Sequence, residues 1–185
     1  MTTVFISGSM NIKNLDRLFT QRIAKIVNSG FGVVIGDADG ADASIQAALL
    51  QMNATHVTVY CTGGRPRNNI GAWPVHKVVS NAKEGSRAYY TAKDVDMAEV
   101  ADYGLMMWDV ASTGTLSNVV ELLKRRKKSV VFANKREKFI NVVDIESLRE
   151  LIEMMSDKAR ARAETKLALS SKIAQMVHEQ FRLAI

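Results

Sequence analysis

Short, wholly apolar runs alternate along this chain with segments whose apolar residues recur every three or four positions, and no other feature constrains the fold as tightly. Val4-Phe5-Ile6 is apolar at every position, as a strand covered on both faces of a parallel sheet requires. The run stops at Ser7-Gly8-Ser9. Leu15, Leu18, Phe19, Ile23, Ile26 and Val27 then line one face of a helix that Gly30 can close. Val33-Val34-Ile35 repeats the strand pattern, Gly36-Asp37-Ala38-Asp39-Gly40-Ala41-Asp42 leads into a helix carrying Ile45, Leu49 and Met52, and a third strand is expected at 57–61. After a long polar stretch from Thr62 to about Arg87, a helix around 92–100, a strand at 105–108, the loop Asp109–Thr115, a helix with Leu116, Val119, Val120, Leu122 and Leu123, and a strand at 130–132 follow in turn.

Five such alternations predict an α/β, Rossmann-like three-layer fold: a parallel sheet of about five strands wrapped by helices, because parallel neighbours need crossover connections. A further edge strand could lie at 139–143. The chain has 185 residues, enough for one such domain over 1–155 with a C-terminal helical extension over 156–185, the latter rich in Ala, Lys and Arg. Its stripe of Leu169, Ile173, Met176 and Val177 makes a homodimer or higher homo-oligomer plausible. The polar stretch after Cys61 is long for a connection in a compact domain and is expected to be an active-site or lid loop.

Hydrophobic residues make up 47% of the chain, so a core can form without disulfides, and Cys61 is the single cysteine. That excludes an intramolecular disulfide and a paired-cysteine zinc framework, and fits a reducing compartment. No cofactor or metal is predicted. Met1–Ile6 lacks a basic, cleavable leader pattern and no apolar run reaches membrane-spanning length, so a cytoplasmic chain with no membrane partner is expected. Lys and Arg number 25 against 19 Asp and Glu, a formal charge of +6 that favours anionic partners without choosing among them.

In open parallel sheets, ligands sit outside the carboxyl ends of the strands where strand order reverses. Three glycine-containing loops fall there: Ser7–Asn11, Gly36–Asp42 and Asp109–Thr115. Ser7, Gly8 and Ser9 combine backbone N–H groups, hydroxyls and a helix start, which suits a phosphate, or simply a tight turn. Asp37 and Asp42, around Gly40, could hold ribose hydroxyls or cap the following helix. The run lacks the acidic spacing of a calcium loop, and Ala48 stands where that loop's bidentate Glu belongs. Arg67, Asn68 and Asn69, with Arg65, put forked cations and amides in one loop, fit to clasp a phosphate or carboxylate or merely solvated. Asp109 follows a strand directly, and Ser112, Thr113, Gly114 and Thr115 make the second phosphate-type turn. Trp73, Tyr89, Tyr90 and Trp108 could stack a base or fill the core. The run Lys124–Lys128 could meet nucleic acid, or complement a helix C-terminus. Cys61, His56, His76 and His178 form no triad pattern.

Taken in order, SGS at 7–9, GDADGAD at 36–42, RNN at 67–69, ADYGLMMWD at 101–109 and STGTLSNV at 112–119 resemble the SLOG superfamily, which embraces Smf/DprA-type DNA-processing proteins, Lonely-guy phosphoribohydrolases and YspA/YpsA-related proteins. The pattern is most similar to the YspA/YpsA-related branch, over about Thr3 to Phe132. The resemblance implies a Rossmann-like fold binding nucleotides or nucleotide-derived signals, with Gly8, Ser9, Gly36, Asp37, Arg67, Asn68, Ser112, Gly114 and Thr115 lining the pocket. Its hydrolytic members carry P-G-G-x-G-T-x-x-E, and the Glu position here holds Asn118. An amide cannot act as carboxylate nucleophile or base. The pattern also has a glycine-containing pair where this chain has Val110-Ala111.

Three functions are therefore in play: a nucleotide-binding sensor or weakly catalytic protein; a nucleotide N-glycosidase of phosphoribohydrolase type in which Asp37, Asp42 or Asp109 supplies the carboxylate; and DprA-like nucleic-acid binding.

Overall fold

The computed structural model describes residues 1–183, and the side chains of residues 1–179. Seven strands form one sheet in the order β4-β3-β2-β1-β5-β6-β7. They are β1 (Thr3–Gly8), β2 (Gly32–Gly36), β3 (Val57–Thr62), β4 (Val75–Val78), β5 (Tyr103–Trp108), β6 (Lys128–Ala133) and β7 (Lys138–Val142). All neighbours pair in parallel except β6 and β7. The chain runs outward from β1 to β4, then returns to place β5 on the other side of β1. The reversal therefore lies between β1 and β5.

Helices α1 (Arg17–Asn28) and α2 (Ala41–Gln51) cover one face, while α3 (Arg87–Val100), α4 (Thr113–Lys124), α5 (Ile145–Glu153), α6 (Asp157–Leu167) and α7 (Leu169–Leu183) build the other. The strands feed two cores by period-two alternation: Phe5, Val34, Met106, Trp108 and Val131 enter one, and Val4, Ile6, Val33, Ile35, Leu105, Met107 and Phe132 the other. This is the Rossmann-like three-layer fold that the alternation predicts. Asp16 caps α1, Ser86 α3 and Ser112 α4, each side chain accepting a first-turn N–H, whereas α2 starts at Gly40 with no side-chain cap from Asp37 or Asp42.

Two elements differ from expectation. The stretch expected to be a loop from Thr62 to Arg87 contains β4, whose His76 and Lys77 are exposed; an outer strand with one side open to water needs no apolar run. His76 stacks on Tyr60 with ring centroids 4.5 Å apart and reaches Asp96 at 2.9 Å. The extension is also two helices, broken at Ala168 in the left-handed conformation (φ 48°). Its apolar stripe packs within the chain: Leu169 and Met176 are buried, with Ile173 and Val177 against the same core. That removes the stripe as an argument for self-association. The possible edge strand is present as β7, antiparallel to β6. No helix among the described residues is long and apolar enough to cross a membrane.

Candidate functional site at the carboxyl ends of the strands

The three glycine-containing loops meet at the carboxyl ends of β1, β2 and β5, as the topology requires, but most of their polar groups are engaged with one another. Ser9 is fully buried; its hydroxyl donates to Asp109 Oδ1 (3.2 Å), lies 3.2 Å from Thr115 Oγ1, and accepts from the Asp109 N–H (3.1 Å). Asp109 Oδ1 also accepts from the N–H groups of Ala111 (3.0 Å) and Ser112 (2.6 Å), and Oδ2 from Asn11 (3.3 Å). Asp109 thus pins the turn leading into α4. Within that turn Val110 stands at φ 64°, a left-handed conformation uncommon for a β-branched residue, at the position where the related pattern has a glycine-containing pair. Ser7 is buried too, donating to Met106 Sδ (3.1 Å) and accepting from Asn118 Nδ2 (3.0 Å).

At the end of β2, Asp37 is clasped by Arg67 three times: by the backbone N–H (3.0 Å), by Nε (3.2 Å) and by Nη2 (2.8 Å). Burial alone would raise the Asp37 pKa, but these bonds and nearby Lys93 hold it below the ordinary carboxylate value. The Arg67 guanidinium also lies 4.9 Å from the centre of the Tyr90 ring, which remains partly exposed. Asn68 Nδ2 donates to the Asp37 carbonyl and to Asp39, both at 3.0 Å. Asn69 is a turn brace, exchanging bonds with the backbone of Trp73 (2.8 and 3.0 Å). Gly40, at φ 77°, opens α2; a Cβ there would lie 2.0 Å from the Met10 carbonyl oxygen, so the crossing of the first two loops demands glycine.

Asp42 behaves differently from the other two candidate carboxylates. It is buried in the first turn of α2, with Oδ1 3.4 Å from the Gly8 N–H. Burial pushes its pKa up to about 6, against the pull of Lys93. Gly36 explains how the cluster fits: a Cβ on it would stand 2.6 Å from Asp42 Oδ2 and 2.8 Å from Lys93 Nζ, so both charged atoms rest over the bare backbone.

Lys93, from α3, is the residue that sequence reasoning missed. Its side chain is only 5% exposed, with Nζ 2.8 Å from Asp94 and 3.9 Å from Asp37. Burial would lower its pKa, but Asp94, Asp42 and Asp37 together raise it. A signal was present: Lys93 interrupts the stripe that Tyr89, Tyr90 and Met97 would otherwise make on α3. Gln46 was missed as well. It is fully buried, donates to the Gly36 carbonyl (2.9 Å) and Asn68 carbonyl (3.3 Å), accepts from the Ile70 N–H (2.9 Å), and so ties the 68–70 loop to β2.

Arg87, at the start of α3, donates to Thr113 Oγ1 (3.1 Å) and carbonyl (3.4 Å), joining the N-terminal ends of α3 and α4 beside partly exposed Ser112, Thr113 and Gly114. The two tryptophans are core: Trp73 Nε1 donates to the Ala54 carbonyl and Trp108 Nε1 to that of Ser112, at 2.9 and 3.0 Å, whereas half-buried Tyr89 donates its hydroxyl to the Thr62 carbonyl (3.3 Å). The basic run 124–128 lies at the opposite, amino-terminal end of β6. There Arg125 pairs with Glu99 (2.7 Å) and Glu121 (2.6 Å), and Lys127 Nζ caps the carbonyls of Ala98 and Glu99.

No protein-family profile and no curated protein matches the sequence. Among solved structures, the fold is similar to that of DNA processing protein A from Helicobacter pylori, a protein that binds single-stranded DNA. The TM-score is 0.55, the sequence identity 18%, and the match covers 90% of this chain and 80% of the other. At that identity the likeness is one of fold alone.

Proposed function

We propose that this protein binds a nucleotide or nucleotide-derived small molecule at the carboxyl ends of the parallel strands, beside the reversal of strand order between β1 and β5, acting as a sensor or weakly catalytic protein. One observation carries the reading: Asp37, Asp42 and Lys93, all buried, converge with Arg67 over Gly36 at the carboxyl end of β2. Burying each ion costs several kcal/mol before compensation, so such a cluster is weak evidence for stability and is typical of functional sites. Asp42 supplies acceptors for ribose hydroxyls, the exposed Tyr90 ring beside Arg67 a face for a base, and the start of α4 with Arg87 a place for phosphate. Assignment to the YspA/YpsA-related branch, with the Gly36–Asp42 and Trp108–Thr115 elements as its marks, belongs to the same proposal.

Asn118 argues against efficient phosphoribohydrolase chemistry, since its amide is committed to Ser7 inside the fold. Asp37 and Asp109 are tied by cations and turn amides, which leaves Asp42, with its pKa near 6, as the carboxylate best suited to any residual base release. A second reading, single-stranded DNA binding, is favoured by the likeness to DNA processing protein A. Incubation with nucleoside mono- and triphosphates, NAD, ADP-ribose, cyclic nucleotides and a single-stranded oligonucleotide, with bound ligand and free base followed by mass spectrometry, tests all three. Retained intact nucleotide supports the first reading. Base release that Asp42→Asn abolishes while bound nucleotide persists at saturating ligand supports the glycosidase, and loss of both together counts against it. Oligonucleotide binding that falls steeply with salt, without mononucleotide binding, replaces both with the DNA reading.

A further inference from the structure

A cavity of about 260 Å³ lies between α3, α4 and the corner joining α6 to α7. Arg87, Lys166 and Lys172 face it, together with Asp94, Asn118 and Glu121. The two carboxylates are paired from elsewhere: Asp94 with Lys93 at 2.8 Å, which also faces Asp37 and Asp42, and Glu121 with Arg125 at 2.6 Å, which also holds Glu99. The cations are not. Arg87 donates only to the neutral oxygens of Thr113, and neither Lys166 nor Lys172 has a carboxylate within ion-pair distance among the described residues. The cavity therefore brings three cations without a direct ion-pair partner into one recess.

The corner that brings the two lysines together is firmly built. Ala168 takes the left-handed conformation between the helices, Leu167 and Leu169 on either side are buried, and Glu164 accepts from the N–H (2.9 Å) and hydroxyl (2.8 Å) of Ser170. Lys172 lies in the opening turns of α7, where the helix dipole disfavours a cation. Lys166 and Lys172 thus line one recess from either side of the bend, the second of them against its own helix. The cavity also touches the strand-end cluster through two contacts already described, Asp94 with Lys93 and Asn118 with Ser7.

We propose that this cavity is an anion site that takes the phosphate of a phosphorylated small molecule, and that the C-terminal helical pair exists partly to complete it with Lys166 and Lys172. That the phosphate belongs to a nucleotide rests on the reading of the strand-end crevice; the anion site itself does not. Two ammonium donors to one phosphate, both in reach of water, contribute roughly a tenfold affinity each at most.

The test is calorimetric titration of the full chain with inorganic phosphate and with AMP, at low and moderate salt. Three proteins are compared: wild type, Lys166→Ala/Lys172→Ala, and Lys135→Ala/Lys138→Ala, which removes two exposed cations at the β6–β7 turn. Both lysines of the first pair lie outside the core, and thermal melts confirm that each variant is folded. The expected result is wild-type binding of phosphate and AMP, weakened about tenfold or more in Lys166→Ala/Lys172→Ala and less than twofold in the control pair. Phosphate binding that depends on Lys166 and Lys172 with no preference for AMP upholds the anion site and removes the nucleotide reading. AMP binding unchanged in Lys166→Ala/Lys172→Ala overturns the anion site and leaves the nucleotide reading standing. Equal losses in both variants, or no phosphate binding at all, also overturn it.

Discussion

The two ends of the sheet treat charge in opposite ways. At the amino-terminal end, the densest basic run of the chain is absorbed into local structure: Arg125 spans Glu99 and Glu121, and Lys127 caps the carbonyls that close α3. At the carboxyl-terminal end the charges are scattered in sequence, at 37, 42, 67, 93 and 94, yet they converge in the interior around Gly36. A run of like charge on a helix terminus is stabilised where it stands, by the dipole and by neighbouring carboxylates. Charges drawn from four separate segments into one buried cluster oppose the hydrophobic effect, and need a reason beyond folding.

The largest effect that could break this contrast comes from Lys93→Met. It leaves buried Asp42 and half-buried Asp94 without their cation and should destabilise the fold by about 3–5 kcal/mol in urea titration. Lys124→Met at the other end should change stability by less than about 0.5 kcal/mol. Equal effects would erase the distinction.

Asp42 gives the next test, through pH. Its folded pKa, about 6, lies above the ordinary 3.8, so the folded state binds the proton more tightly. Its contribution is therefore most favourable below the unfolded value and is lost as pH rises through about 6. Asp37, held below its ordinary value, acts oppositely: its stabilisation is present above the unfolded pKa and lost as pH falls. Asp42→Asn should accordingly flatten the fall in stability between about pH 4 and 6, match or exceed the wild type in stability at pH 7–8, and still weaken nucleotide binding by about tenfold. A variant that loses stability at pH 7–8 would make Asp42 a structural residue.

Val110→Gly should move stability by no more than about 1 kcal/mol, because relief of left-handed strain offsets the loss of a buried side chain. Chemical denaturation reads the difference, and a loss of several kcal/mol would mean that Val110 is held by packing alone. Smallest of all, Lys124→Ala/Arg126→Ala should alter nucleotide affinity less than twofold by calorimetry.

The same contrast governs how much was legible in the sequence. Strands β1, β2, β3, β5 and β6 announced themselves because burial on both faces leaves no room for polar residues. β4 did not, since His76 and Lys77 are free to face water at the edge of the sheet. The corner at Ala168 carries neither Gly nor Pro, the usual marks of a helix break, and so α6 and α7 read as one segment. Among candidate site residues, the loops were legible because topology alone places them at the strand ends. Their roles were not: Ser9, Asp109 and Asn69 look like ligand contacts by type and serve as internal braces by geometry. Gln46 was hidden because a single polar residue on a helix is ordinarily solvated, while Lys93 showed only as a break in the apolar stripe of α3, and the tertiary fold places both inside.

The central claim, that ligand binding belongs to the carboxyl-terminal end of the sheet, is tested most directly by amide chemical-shift mapping on titration with AMP. Perturbations at Ser7–Asn11, Gly36–Asp42 and Asp109–Thr115, with Lys124–Lys128 silent, are the predicted result. Perturbations confined to Lys124–Lys128 would contradict it.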